Sequence, residues 1–143
     1  MKFSRALSLF AAITLSQASA IAGEIPAPAT AELYFISPAD GATVTSPVKI
    51  IFGLAGMGIA PAGVEKENTG HHHLLVDTPA PQGDALNDAI VKDAQHLHFG
   101  NGQTETMLEL APGKHSLQLL LGDANHIPHK PPVLSAPITI TVQ

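Results

Sequence analysis

The chain has no cysteine and no tryptophan, and its 143 residues include only one tyrosine and five phenylalanines. Without cysteine there are no disulfides, no thiolate-ligated copper centre, no cysteine zinc site and no iron–sulfur cluster. Any metal chemistry falls to nitrogen and oxygen donors, with the three methionines as the one soft alternative. Charge is scarce as well: 13% of residues are charged, with seven basic against twelve acidic side chains. Scattered cations on an acidic chain supply no electrostatic footprint for phosphate backbones or anionic lipid, which argues against nucleic acid and membrane surfaces as partners. Set against these shortages, eight histidines stand out.

The first twenty residues do not read as part of a fold. Lys2 and Arg5 precede the apolar run Ala6 to Leu15, and Ala18-Ser19-Ala20 closes it with small residues. This is the pattern of a secretory signal peptide over residues 1–20, with cleavage expected after Ala20 or, second, after Ala22. The run is shorter than the roughly 20 residues a bilayer crossing needs, and no later stretch is long and apolar enough to supply one. Loss of Lys2 and Arg5 leaves five basic residues against twelve acidic, a formal charge of −7. The expectation is an exported protein, periplasmic or secreted, without a membrane span. Residues 21–30, with Pro26 and Pro28, read as an extended tether, and residues 31–143 as a single His-rich β domain.

Short β-prone runs punctuated by turn residues fill that domain. Ala31 to Ile36 is stopped by Ser37-Pro38-Ala39-Asp40-Gly41, and a second strand runs from Val48 to Leu54 with Val48, Ile50 and Phe52 alternating inward. This opening resembles the start of many immunoglobulin-like bacterial modules. A small-residue loop, Ala55 to Gly63, leads to Thr69-Gly70-His71-His72-His73 and a strand ending at Asp77. A long connection, Thr78 to Gln95, holds a weak helical stretch at Asp84 to Val91; connections of this length are functional loops or disordered. Gln103 to Leu110 mixes polar and apolar residues, and Pro112-Gly113 turns the chain into His115 to Leu121 as if into a hairpin partner. Val133 to Val142 closes the domain. Six or seven strands with frequent turns and little helix predict a single immunoglobulin-like antiparallel β-sandwich with Greek-key connections, a small β-barrel being the alternative.

The histidines fall into groups whose spacing carries chemistry, because neutral imidazole is the commonest protein ligand for copper and zinc. On a strand, residues i and i+2 share a face. His96 and His98 therefore point the same way, as do His71 and His73, while His72 goes with Leu74 and Val76. His126 and His129 sit three apart across a proline in the rigid segment Gly122 to Pro132. Taken singly, each pair reads as readily as surface histidine. Taken together they can meet where loops cluster at one end of a sandwich. The candidate metal ligands are His72, His73, His96, His98, His126 and His129, with at most two from the triple. His115 alternates with Leu117, Leu119 and Leu121 and reads as a half-buried histidine bonded to a backbone carbonyl. Asp77, Asp123, Gln103 and Glu105 are candidates to hold ligating rings, and Met57 is a candidate soft donor that reads more readily as packing.

The blocks FGLAGMGIAPAG, TGHHHLLVD, QHLHFGNGQTE and PGKHSLQLLLGDANHIPHKPPV resemble the bacterial family catalogued as domain of unknown function 4399, over roughly Ala31 to Val142. The resemblance implies a secreted or periplasmic β domain whose hallmark is its histidine blocks, and it implies no activity. The leading expectation is thus a periplasmic metal-binding protein, copper preferred and zinc next, that captures, buffers or delivers the ion, with a metal-trafficking protein as partner. Two other readings are carried. One is a metalloenzyme with an open histidine-bound site; against it, no catalytic signature such as G-x-S-x-G is present. The other is a metal-free interaction module with pH-sensing histidines. The oligomeric state is left open.

Overall fold

The computed structural model describes residues 25–143; the signal-peptide expectation for residues 1–20 lies outside them. The strands are β1 (Glu32–Ser37), β2 (Thr43–Val44), β3 (Val48–Ala55), β4 (Gly58–Ile59), β5 (Thr69–Val76), β6 (His96–His98), β7 (Glu105–Leu108), β8 (Gly113–Gly122) and β9 (Ile138–Val142). A short 3-10 helix at Gly83–Asn87 takes up part of the stretch with weak helical character. Residues 25–27 run extended along the 128–131 segment, through Ala27 N–H to the Lys130 carbonyl (3.1 Å) and Lys130 N–H to the Ile25 carbonyl (3.1 Å).

Two open sheets result. The smaller has the order β1-β3-β7, and the larger the order β2-β9-β8-β5-β4 with β6 also on β5. Neither closes on itself, so the fold is a sandwich rather than the barrel alternative. Most pairs are antiparallel; β2 on β9 and β4 on β5 are parallel. The N-terminal strand pairs with β3 in one sheet, and the chain then crosses to lay β2 along β9 in the other. The crossing is made by the Asp40-Gly41 turn: Asp40 Oδ1 accepts Thr139 N–H and Gly41 N–H donates to the Thr139 carbonyl, each at 2.8 Å. Three central strands β9-β8-β5 facing a β1-β3-β7 sheet is the immunoglobulin-like arrangement. One sequence expectation is corrected here. β7 and β8 are not a hairpin; β7 pairs with β3 and β8 with β5 and β9, so the Pro112-Gly113 turn carries the chain between sheets.

The core lies between the sheets. Val48, Ile50 and Phe52 of β3 meet Leu74 and Val76 of β5, Leu117, Leu119 and Leu121 of β8, and Ile138, Ile140 and Val142 of β9. The period-2 alternation that marks these strands in the sequence is what aims them inward. Each such leucine or isoleucine, fully buried, contributes about 1.5–3 kcal/mol.

Strand β5 departs from that pattern, because all eight of its residues are buried. Its second face is covered too. Leu75 and Leu120 are fully buried yet lie outside the inter-sheet cluster. On that side the segment after β8 folds back, with Leu120 bridging Leu134, and the long connection ties down through Ile90 N–H to the His126 carbonyl (2.8 Å). The larger sheet thus has an apolar core on one face and a roofed pocket on the other.

Candidate metal centre

The pocket under that roof is lined by imidazoles. His71 and His73 project from β5 onto the face opposite Leu74, as alternation requires. β6 runs antiparallel beside β5 with His98 paired to His73, so the His98 ring lands next to theirs. The fourth ring, His126, descends from the loop after β8, whose last residue Gly122 is paired to His71. The start of β5, the end of β6 and the end of β8 meet at one end of the sheet because β6 and β8 both run antiparallel to β5.

All six pairs among His71, His73, His98 and His126 have ring centroids between 4.7 and 6.0 Å apart. His71 and His73 approach through their Nε2 atoms at 3.0 Å. One nitrogen from each of His71, His98 and His126 lies within 4.8 Å of the others, a spacing that could hold a metal ion. His71 and His73 are fully buried, whereas His98 and His126 are half-buried and form the side open to solvent. Among the described residues, the buried side-chain nitrogens and oxygens without a hydrogen-bond partner are all imidazole nitrogens: His71 Nδ1, His72 Nε2, His73 Nδ1, His98 Nε2 and His129 Nδ1. Orphaned polar atoms are rare in folded interiors, and five in one residue type call for a reason.

The loop that delivers His126 is built around Asp123. This buried carboxylate accepts the N–H groups of Asn125 (2.7 Å) and Ile127 (2.9 Å), and the Asp123 carbonyl accepts His126 N–H (3.0 Å). The tight turn holds His126 at φ = 67°, a left-handed conformation that a residue with a Cβ seldom adopts. Gly122 completes the fit: a Cβ there would stand 2.9 Å from His73 Nε2.

Burial is the main force on the protonation of these rings. For His71, burial and then the neighbouring imidazoles, His126 and His98 first, lower the pKa to about 4. For His73, burial followed by His71 and His98 lowers it to about 2. His98 is lowered by burial, then by His126 and Lys92. Each shift favours neutral imidazole, the form that ligates metals.

The structure brings together three of the six candidates drawn from the sequence, His73, His98 and His126, and adds His71. His72 points into the inter-sheet core, where its ring packs on Phe52 (4.9 Å between centroids) and its Nδ1 meets the Gln103 carbonyl at 3.2 Å. His96 is paired to Leu75, two residues farther along β5 than His73, and its Nδ1 meets Asp93 Oδ1 at 2.8 Å. His129 is buried, with Nε2 on the Thr69 carbonyl (3.2 Å), and a charge on it would disfavour protonation of His71. His71 was missed although alternation pairs it with His73. The outer face of a sandwich sheet reads as solvent until the loops that roof it are known.

The residues expected to support ligating rings act elsewhere, apart from Asp123. Asp77 Oδ2 takes His115 Nδ1 (2.7 Å), whose Nε2 donates to the Ala111 carbonyl (2.8 Å). Gln103 serves His72, and Glu105 pairs with Lys49 across the exposed sheet (3.4 Å). Met57 packs against the core.

Fold and site together define a class: an immunoglobulin-like β-sandwich module carrying a cluster of four imidazoles on the outer face of its larger sheet. Residues 50–143 match the family described as "Domain of unknown function (DUF4399)", and the chain belongs to that family. The match spans β5, β6 and the β8 loop, and so every residue of the cluster. No curated protein matches the chain. Among solved structures it is similar to the fibronectin(III)-like modules of CbhA from Clostridium thermocellum, at 13% identity and a TM-score of 0.32, over 77% of this chain and 92% of that one.

Proposed function

We propose that this protein binds a single transition-metal ion, copper in preference to zinc, through His71, His73, His98 and His126, and that its role is capture, buffering or delivery of that ion in an exported compartment. The observation that carries the reading is the convergence of four imidazoles, two of them fully buried, three of which carry a buried nitrogen with no hydrogen-bond partner. Two nitrogens on one ion at bonds of about 2.0–2.1 Å stand roughly 2.9–3.4 Å apart. The 3.0 Å separation of His71 and His73 Nε2 falls in that span. An all-nitrogen donor set without thiolate or carboxylate favours Cu(II) over Zn(II) by the Irving–Williams order. A pH-sensing role in a metal-free module fits less well, because burial carries His71 and His73 far below the range in which such sensors titrate.

The test is to load untagged protein with Cu(II) or Zn(II), remove the excess and measure metal per chain. One ion per chain is expected. A His98→Ala/His126→Ala variant should lose at least about a hundredfold in affinity, more than outer partners typically cost, while His96→Ala keeps full binding. Substoichiometric binding of both ions at saturation overturns the reading.

A further inference from the structure

Resting on the metal-site reading, the surroundings of the cluster say something about what the ion brings with it. Four imidazoles bring no negative charge, so a divalent ion among them would leave a buried double positive charge. Burying charge without a counter-charge is strongly unfavourable. The nearby carboxylates are committed elsewhere: Asp93 to His96, and Asp123 to the N–H groups of its own loop. His98 also lines a cleft of about 390 Å³, together with Ala62, Lys92, Gly100, Asn101 and Gln103. It contains a cation, two amides and the His98 ring, and no carboxylate. Lys92 is exposed, forms no ion pair among the described residues, and lies near enough to His98 for its charge to disfavour protonation of that ring. Gln103 accepts Asn101 N–H through Oε1 (2.9 Å), which leaves its Nε2 donors free of that turn. A lysine beside a cation site otherwise makes the electrostatics worse, unless the cleft is meant for an anion.

We propose that the site takes its metal together with a small exogenous anion, a carboxylate or an inorganic oxyanion, which sits in the cleft between His98 and Lys92 and completes the ion's coordination. The imidazoles supply the nitrogen donors, the anion neutralises the ion, and Lys92 and the amides hold the anion's outer atoms. In this arrangement the protein selects a metal–anion pair over the bare ion, and release of the anion loosens the metal.

Azide is the probe, because its binding to protein-bound Cu(II) produces a ligand-to-metal absorption band. Wild-type protein and Lys92→Gln are loaded with equal copper and titrated with azide in a buffer of non-coordinating ions. A saturable band is expected for wild type, with azide affinity falling at least about fivefold in Lys92→Gln at unchanged copper stoichiometry. Lys92→Glu, which would place a carboxylate at the cleft, should retain copper and lose the azide band. Acetate and phosphate are then competed against azide; the one that displaces it at lower concentration identifies the class of native anion. Bound copper with no azide band, or equal azide affinity in wild type and Lys92→Gln, overturns the inference and leaves the metal reading standing. Failure to bind copper at all overturns both.

Discussion

His71 and His72 are adjacent and chemically identical, yet one joins the cluster and the other is a core residue beside Phe52. The difference is one step of the β pleat. His115 shows the same economy on a different strand. It is half-buried, with Asp77 on one nitrogen and the Ala111 carbonyl on the other, so both nitrogens donate in the protonated form. The Asp77 hydrogen bond is the largest cause of a raised His115 pKa, followed by the Ala111 carbonyl. A raised folded-state value means stability that is fully present below the unfolded value near 6.5 and is lost as pH rises through the folded pKa. Asp77→Asn should therefore cost stability at pH 5.5 and less at pH 8.5, by under about 1 kcal/mol for so open a pair. Chemical denaturation of both proteins at the two pH values checks this; an equal cost at both would deny the charged pair its role.

At the level of elements, the pocket depends on β5 and β8 standing close enough for His71 and His73 to fit beneath the loop that follows β8. Gly122 is where that fit is tightest, since a Cβ would press on His73 Nε2 at 2.9 Å and on the His126 backbone at 3.4 Å. Gly122→Ala should leave the sandwich folded but cost about 1–3 kcal/mol from overpacking, and it should weaken copper binding by displacing His73. Denaturant unfolding together with metal stoichiometry reads the two effects separately. Unchanged copper affinity in a destabilised Gly122→Ala would place His73 outside the ligand set. The sequence shows a glycine at the end of a strand there; it does not show an imidazole waiting across the strand pair.

Over the whole molecule, the neutral cluster sets the response to acid. His71, held to about 4, and His73, to about 2, stay unprotonated in the folded chain at pH values where an unfolded histidine is charged. Depressed histidine values mean that the unfolded state binds more protons. Stability of the metal-free protein should fall as pH drops below about 6.5 and keep falling to about 4, with uptake of about two protons per chain on unfolding. Bound metal, which competes with protons for the same nitrogens, should flatten that loss. Urea unfolding with and without copper at pH 7.5 and 5 measures both; a metal-free stability independent of pH across that interval would contradict the buried, neutral assignment.

Much of this was legible from the chain. Alternation at Val48, Ile50 and Phe52 and at Ile138, Ile140 and Val142 specified strands with one apolar face, and the Asp40-Gly41 signal marked a turn. The absence of cysteine confined candidate ligands to nitrogen and oxygen donors and methionine, and the i, i+2 rule split the triple histidine into two faces. Those are local properties, set by the period of a strand and the chemistry of a side chain. Which face of β5 faces the second sheet, and whether the other meets water or a roof, is not local. It depends on β8 pairing across β5, on β6 folding back beside it and on the Asp123 turn bringing His126 over the top. Only that assembly decided that His71 joins the cluster and that His72 and His96 do not, because only there do strands distant in sequence bring their ends together.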